Sequence, residues 1–296
     1  MSLEANAERF EGFTDLYDRM RPAPPDEAVE VIAAYAGGMP RQVVDLGSGT
    51  GLSSRWIAAW AAEVIGVEPG EGMRAQATAI GGPRNLRYVS GWSHETGLPS
   101  ASADAVLAVQ ALHWMDPAGT YAEVARVLRS GGVFAALDCD WPPVVGDAAL
   151  EAAWTRCRSL ARSYEERYAA GLTGEALSGS LAAEAPVTPP AFGRDGHRQR
   201  LPGGVASWSK DDRLDRMSAS GAFRWMREMA FHKAEPGDAA RFTGLLLSQG
   251  DVQAALRHGA TPAALGVEDL ERAATRSWGS AGRRFWFTYR MRLGVR

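Results

Sequence analysis

The chain has 296 residues, 46% of them hydrophobic, and 32 basic against 35 acidic side chains give a net charge of -3. That length can bury the core of one large α/β domain, or of a domain carrying a substantial insertion. The balanced charge excludes the basic surplus typical of nucleic-acid binders, which leaves a small-molecule partner and no nucleic acid as the expectation. Lys210 and Lys233 are the only lysines in an arginine-rich chain, which reads as composition bias. No apolar run reaches the roughly 18 residues that a membrane span needs. The start, MSLEANAERFEGF, has neither a basic head nor an apolar segment, so a cytoplasmic protein without a membrane partner is expected. Cys139 and Cys157 are too few for a disulfide framework, and no Cys or His spacing suggests a metal.

In chain order, RPAPPDE leads into an amphipathic helix over Ala28 to Ala36, with Asp26 as its expected cap and with Arg21 and Pro22 just outside. From residue 42, short β-rich runs alternate with helical stretches, the pattern of a parallel sheet flanked by helices. The strands are placed at Gln42 to Asp45, Glu63 to Val67, Leu86 to Ser90, Ala105 to Val109 and Val133 to Asp138. The helices between them are placed at Leu52 to Ala62, Gly72 to Ala79 and Pro117 to Leu128, the last stopped by Gly131 and Gly132. A long helix follows at Ala148 to Tyr168, then a stretch rich in Gly, Pro and Ser from Gly171 to Gly204 that reads as an insertion. Phe223 to Phe231 and Arg284 to Leu293 are assigned as two final strands, although FRWMREMAF could equally form a helix.

VVDLGSGTGLSSRWIA places a strand, a tight glycine turn and a helix in succession, the arrangement that brings backbone N–H groups close to a ligand. Gly47, Gly49 and Gly51 are spaced GxGxG, and Leu52 stands where a dinucleotide fingerprint has glycine. Asp45, just before the loop, would repel phosphate and favour a cationic amino-acid moiety. Some 20 residues on, Glu68 ends the second strand, where a carboxylate can accept both hydroxyls of a ribose. The loop therefore suits a nucleoside ligand without phosphates.

DLGSGTG, the EP at Glu68 and Pro69, GLPSASADAVLAVQALHWMD and RVLRSGGVFAALD resemble, in order and spacing, the motifs of class I S-adenosylmethionine-dependent methyltransferases. The resemblance covers about residues 10 to 140 and is nearest to the small-molecule, trans-aconitate methyltransferase-like branch. RPAPP and ALHWMD stand for that branch's RPxYP-like entry and ALHW segment, with Pro24 where tyrosine would be. The resemblance implies a Rossmann-like, doubly wound sheet of seven strands, mostly parallel with the last antiparallel. S-adenosyl-L-methionine is the implied cofactor and S-adenosyl-L-homocysteine the product. Gly47, Ser48, Gly49 and Thr50, with Gly51 completing the loop, would line the methionine part, and Glu68 would hold the ribose. Met73 would pack near the adenine or ribose. Where many relatives have Asp after the third strand, this chain reads Gly91-Trp92-Ser93-His94-Glu95, so adenine contact is expected from Ser93 or backbone, with Trp92 stacking.

Ligands of open α/β sheets sit beyond the carboxyl ends of the strands. This puts Gln110, His113 and Trp114 after the fourth strand, and Asp138, Asp140 and Trp141 after the fifth, near the reacting groups. Gln110 is counted with the cofactor contacts. His113 is the candidate general base, the alternative being that it only orients a loop, because methyl transfer needs a well-held acceptor more than a base. Arg21 could pair with a carboxylate of the cofactor or of an acidic acceptor. Trp114, Asp140, Trp141, Ser248, Gln249 and Tyr289 are the candidate acceptor contacts.

The expected organisation is an N-terminal helical segment over the cofactor site (1–40), a Rossmann-like core (41–140), a helical insertion forming a cap (141–205) and a C-terminal part completing the sheet and acceptor pocket (206–296). A methyltransferase acting on a small molecule is the primary reading. A non-catalytic cofactor-binding protein of the same fold and, less favoured by Leu52 and Asp45, an NAD(P)-dependent oxidoreductase are the alternatives. An RNA or protein methyltransferase lacks support, since Gln110-Ala111-Leu112-His113 is no amide-methylating motif.

Overall fold

The computed structural model describes residues 14–173, 199–200, 206–210 and 212–296. Most of the Gly, Pro and Ser-rich stretch read as an insertion lies outside the described residues, as does the start of the chain over 1–13. Two short helices, α1 (Thr14–Met20) and α2 (Asp26–Ala36), precede the sheet. Then β1 (Gln42–Leu46), α3 (Leu52–Ala58), β2 (Glu63–Val67), α4 (Glu71–Ile80), β3 (Leu86–Val89), β4 (Ala103–Val109), α5 (Pro117–Val127) and β5 (Leu128–Cys139) alternate as expected. The chain continues through α6 (Ala148–Ala169), α7 (Arg213–Ala219), β6 (Trp225–Gly237), α8 (Ala239–Leu247), α9 (Gly250–Arg257), α10 (Val267–Trp278) and β7 (Arg283–Val295). A two-residue ribbon, Gln199–Arg200 with Ala206–Ser207, stands apart from the main sheet.

The sheet has seven strands in the order β3-β2-β1-β4-β5-β7-β6. Strands β1 to β5 are parallel, whereas β7 runs antiparallel to both β5 and β6. The reversal of strand order on either side of β1 and β4 opens a crevice at their carboxyl ends. The central strands alternate between two buried faces, as parallel strands covered by helices must. Val43, Val64, Leu107 and Leu137 meet Ala28, Val29 and Ile32 of α2 and Ile57 of α3. Val44, Ile65, Val106 and Phe134 meet Tyr121 and Val124 of α5 and Met217 of α7.

A third core lies between α6, α8, α9, α10 and β7, where Trp154, Leu160, Phe242, Leu246, Val252, Leu270, Trp278, Phe285 and Phe287 pack together. Each such side chain contributes roughly 1.5–3 kcal/mol by leaving water. Asp251 of α9 ties this layer together by accepting from both Arg158 and Arg162 of α6, each at 2.9 Å or less. Thus α6, which follows the Rossmann-like core, shares one interior with the helices that connect β6 to β7.

Several boundaries differ from the sequence expectation. Helix α2 starts at Asp26 behind Pro25, which supplies no side-chain cap, and the Asp26 carboxylate instead accepts from the Trp56 indole N–H at 3.1 Å. Helix α3 ends at Ala58, four residues early. Helix α5 ends at Val127 because Leu128, buried and extended, already pairs with Ala103. Gly131 and Gly132 therefore lie inside β5 and do not stop the helix. FRWMREMAF is strand from Trp225 onward, since β6 pairs with β7 along its whole length.

Candidate active site

A cleft lies over the carboxyl ends of β1, β2 and β4, with about 1120 Å³ of empty space including its open mouth. Its walls include Gly47, Ser48, Gly49, Thr50, Glu68, Met73, Trp92, Ser93, Gln110, Trp114, Trp141, Tyr289 and Arg21 from the sequence reading.

At one end, the turn after β1 is fixed by Gly47 and Ser48 N–H groups donating to Val67 O at 2.8 and 3.2 Å. Gly49, at φ 55° and on the cleft wall, has open space where a side chain would stand. Gly51, at φ 84°, begins α3 and leaves room for the Tyr88 phenol beneath the loop. Glu68 accepts from Gly49 N–H at 3.0 Å and Gly70 N–H at 2.8 Å, so its carboxylate is clamped to the loop it faces. Burial raises its pKa, while the two backbone donors oppose the rise. Each carboxylate oxygen keeps a further lone pair for a ligand hydroxyl.

Asp45 lies one layer below the wall, wholly buried. Its Oδ2 accepts from Ser53 Oγ at 2.7 Å and Ser54 Oγ at 2.6 Å, bracing the first turn of α3 against β1. Burial lifts its pKa to about 6 against those two hydrogen bonds. Among the described residues, Asp45 Oδ1 and Ser48 Oγ are buried without a hydrogen-bond partner, and of the two only Ser48 lines the cleft, where a ligand could satisfy it. Thr50 turns its hydroxyl to Asp18 of α1 at 2.9 Å, and Arg55 Nη2 donates to the same carboxylate, so α1 is latched to the glycine loop. Ser93 Oγ is hydrogen-bonded to Thr120 Oγ1 at 2.8 Å, and the Trp92 ring stands 6.1 Å from His94.

The other end is aromatic. Trp141 stacks on Trp154 at 6.1 Å, and Tyr289 donates to Pro22 O at 2.7 Å, pinning the strap between α1 and α2 over the cleft. Arg21 lies against the faces of Tyr17 and Trp141, 4.8 and 4.6 Å from the ring centroids. Its Nε and Nη2 donate to Ser248 Oγ and Ser248 O at 3.0 and 2.9 Å. Ser248 thus sits behind Arg21, outside the cleft lining. Gln249, also buried, donates to Leu245 O at the end of α8. Asp140, expected among the acceptor contacts, is absent from the cleft lining and pairs instead with Arg290 at 2.9 Å.

Gln110 stands at φ 55°, a left-handed conformation that favours glycine and is often held at functional sites. Its backbone N–H donates to Leu137 O, which turns the chain back over the sheet and places its amide in the cleft. His113 is not part of the lining. Its Nδ1 lies 3.6 Å from Asp138 Oδ1, and its ring lies 4.6 Å from Trp114, which does line the cleft. Cys139 is buried and its thiol is pushed up to about 12 by desolvation, so it is unreactive.

Sequence reasoning missed Tyr17 and Lys210. Tyr17 precedes Arg21 by one helical turn, a spacing that could have flagged it. Lys210 reaches Asp138 Oδ1 at 3.1 Å and Gln110 Oε1 at 3.4 Å across 72 and 100 residues, which no local pattern records.

Residues 44–136 match the family described as methyltransferase domain. An uncharacterized methyltransferase of Mycobacterium tuberculosis is 39% identical over 117 residues, 39% of this chain and 46% of that protein. The chain therefore spans about half the length of that relative. The trans-aconitate 2-methyltransferase of an Acidovorax species is 31% identical over 177 residues, 56% of this chain and 66% of that protein. A solved structure from Anaeromyxobacter dehalogenans, assigned as a type II methyltransferase, superposes with a TM-score of 0.58 at 24% identity, covering 93% of this chain and 97% of the other. That likeness is one of fold.

Proposed function

The core of this chain is a class I S-adenosylmethionine-dependent methyltransferase domain, and from that premise we propose that the chain transfers a methyl group to a small molecule held at the aromatic end of the cleft. The observation that carries this reading is the continuity of one cleft from the Glu68 and glycine-loop end to the Trp114, Trp141 and Tyr289 end. Glu68 has lone pairs for a ribose diol, Ser48 Oγ is an unpaired polar atom on the wall, and Gly49 leaves open backbone beside it. These features fit S-adenosyl-L-methionine, whose sulfonium supplies an activated methyl group.

In this reading Gly47 to Gly51 follow the methionine part, Met73, Trp92 and Ser93 surround the adenine, and Gln110 faces the reacting centre. Asp45 acts from beneath by holding α3 in place. Arg21 closes the lip, where a carboxylate would meet its guanidinium. The Tyr289-anchored strap and α1, latched through Asp18, exclude water from the cleft, which matters because in-line displacement is helped chiefly by orientation and a dry site. In this reading His113, off the cleft lining, 3.6 Å from Asp138 Oδ1 and packed against Trp114, supports the wall of the cleft and is not the base.

Two measurements test the reading. Calorimetry should show micromolar binding of S-adenosyl-L-homocysteine and none of NAD⁺. A metabolite extract incubated with methyl-labelled cofactor should yield a small product heavier by one labelled methyl. Binding without any labelled product would instead support a non-catalytic binding protein.

A further inference from the structure

The edge strand β3 sends one side chain under the glycine turn. Asp45, Gly66 and Tyr88 stand in register across β1, β2 and β3 and therefore share one face of the sheet, the face on which Ser53 and Ser54 of α3 bond to Asp45. Gly66 has no side chain, and the Tyr88 ring lies across it. A methyl built on Gly66 would stand 2.5 Å from Tyr88 Cδ1 and 2.9 Å from Ser48 Oγ. At its far end the phenol passes beneath Gly51, where a methyl would meet the hydroxyl and, at 3.0 Å, Arg55 Nη1. One ring thus reaches from the edge of the sheet to the start of α3, although Tyr88 itself is absent from the cleft lining.

Hydrogen bonds fix the outline of the turn above this ring. Gly47 and Ser48 N–H groups donate to Val67 O, Gly51 N–H donates to Ser48 O at 2.8 Å, and Arg55 Nη1 donates to Thr50 O at 2.8 Å. The height of the turn over the sheet is set by what fills the space above Gly66. That filler is the ring, since the Tyr88 hydroxyl is buried and makes no hydrogen bond among the described residues. Ser48 Oγ, the cleft-wall atom left without a partner, rests against the same glycine. In a close-packed interior it must follow any movement of the ring.

We propose that Tyr88 is a positioning residue for the cofactor: from outside the cleft it sets the height of the Ser48 to Gly51 turn, and with it the place of Ser48 Oγ. This rests on the cofactor reading above, in which that turn follows the methionine part. Shortening the Tyr88 side chain lets the turn sink toward the sheet. A methyl on Gly66 instead forces the ring and Ser48 Oγ away from it. Either change displaces the Ser48 hydroxyl, and a shift of about 1 Å takes a hydrogen bond out of its normal range.

The Kd for S-adenosyl-L-homocysteine is measured calorimetrically, with a urea melt for each variant. Tyr88→Val and Gly66→Ala should each raise it about fivefold or more, whereas Tyr88→Phe, which keeps the ring, should stay within about twofold of the parent. Leu86→Ala removes a side chain from the same face at the start of β3, away from the turn. It should destabilise the fold and leave the Kd within about twofold, which is how a merely structural Tyr88 would also behave. The route through Ser48 is read from a double-mutant cycle. Ser48→Ala should weaken binding about threefold or more in the parent, and less than about twofold in the Tyr88→Val protein. A smaller loss in Tyr88→Val, an equal loss in Leu86→Ala, or the same effect of Ser48→Ala in both backgrounds overturns the proposal. If Tyr88→Val does not fold, the same cycle in the Gly66→Ala background decides by the same limits. Failure of the parent protein to bind S-adenosyl-L-homocysteine would overturn the cofactor reading instead.

Discussion

Replacing Glu68 by glutamine separates the ligand role of this carboxylate from its structural one. The amide has the same shape but keeps a single acceptor oxygen and puts an NH₂ group toward Gly49 N–H or Gly70 N–H, which now donate to Glu68 at 3.0 and 2.8 Å. An unsatisfied buried donor costs about 1–3 kcal/mol. Against that, the carboxylate is held in the fold at a desolvation cost, seen in its raised pKa, and the neutral amide escapes it. The two effects offset, so the unliganded protein should lose less than about 1 kcal/mol. Cofactor affinity has no such offset. One charge-assisted bond to a ribose hydroxyl is replaced by a mismatched donor, a loss of about 2–3 kcal/mol, or about 30- to 150-fold in Kd. Calorimetry with S-adenosyl-L-homocysteine, with a urea melt alongside, measures both. A Glu68→Gln protein that binds within threefold of the parent would refute the ribose assignment.

Gly51→Ala should destabilise the fold by about 1–3 kcal/mol, because the new methyl meets the Tyr88 hydroxyl at a positive φ. Adding Tyr88→Phe should recover part of that in a urea titration, and equal loss in the double variant would show that the phenol is not the obstacle. Glu123 has its pKa lowered to about 2, first by the Arg126 hydrogen bond and then, against burial, by the Thr96 donors. A depressed carboxylate stabilises above its ordinary pKa of 4.5 and loses that contribution as pH falls toward 2. Because Arg126 is partly exposed, the contribution is about 1–2 kcal/mol. Glu123→Gln should therefore melt earlier than the parent at pH 7 and converge with it near pH 2. His113→Gln should lower kcat less than tenfold and leave the shape of its pH profile unchanged. Disappearance of an ionisation from that profile would restore His113 as a base.

Local chemistry was enough to read β1, β2 and β4, because parallel strands covered on both faces show as largely apolar runs between helices, and the short edge strand β3 followed from its β-rich residues. It was also enough to place the glycine turn and Glu68 beside the cleft, since both depend on backbone shape and on position at a strand end. Where α5 gives way to β5 was not legible: two glycines offered a local stop signal, but the pairing of Leu128 with Ala103 ended the helix first. The strand state of β6 was equally hidden, since FRWMREMAF fits a helix until β7, 58 residues further on, supplies a partner. The aromatic end of the cleft shows the same division. Trp114, Trp141 and Tyr289 could be nominated from strand ends, but the facing of His113 toward Asp138, the withdrawal of Ser248 behind Arg21 and the approach of Lys210 to Gln110 depend on side chains from distant segments meeting in space. The glycine loop takes its shape from neighbouring residues and so can be read locally, whereas the aromatic end of the cleft is assembled from the ends of β4, β5 and β7 and the strap, so only the tertiary structure could decide it.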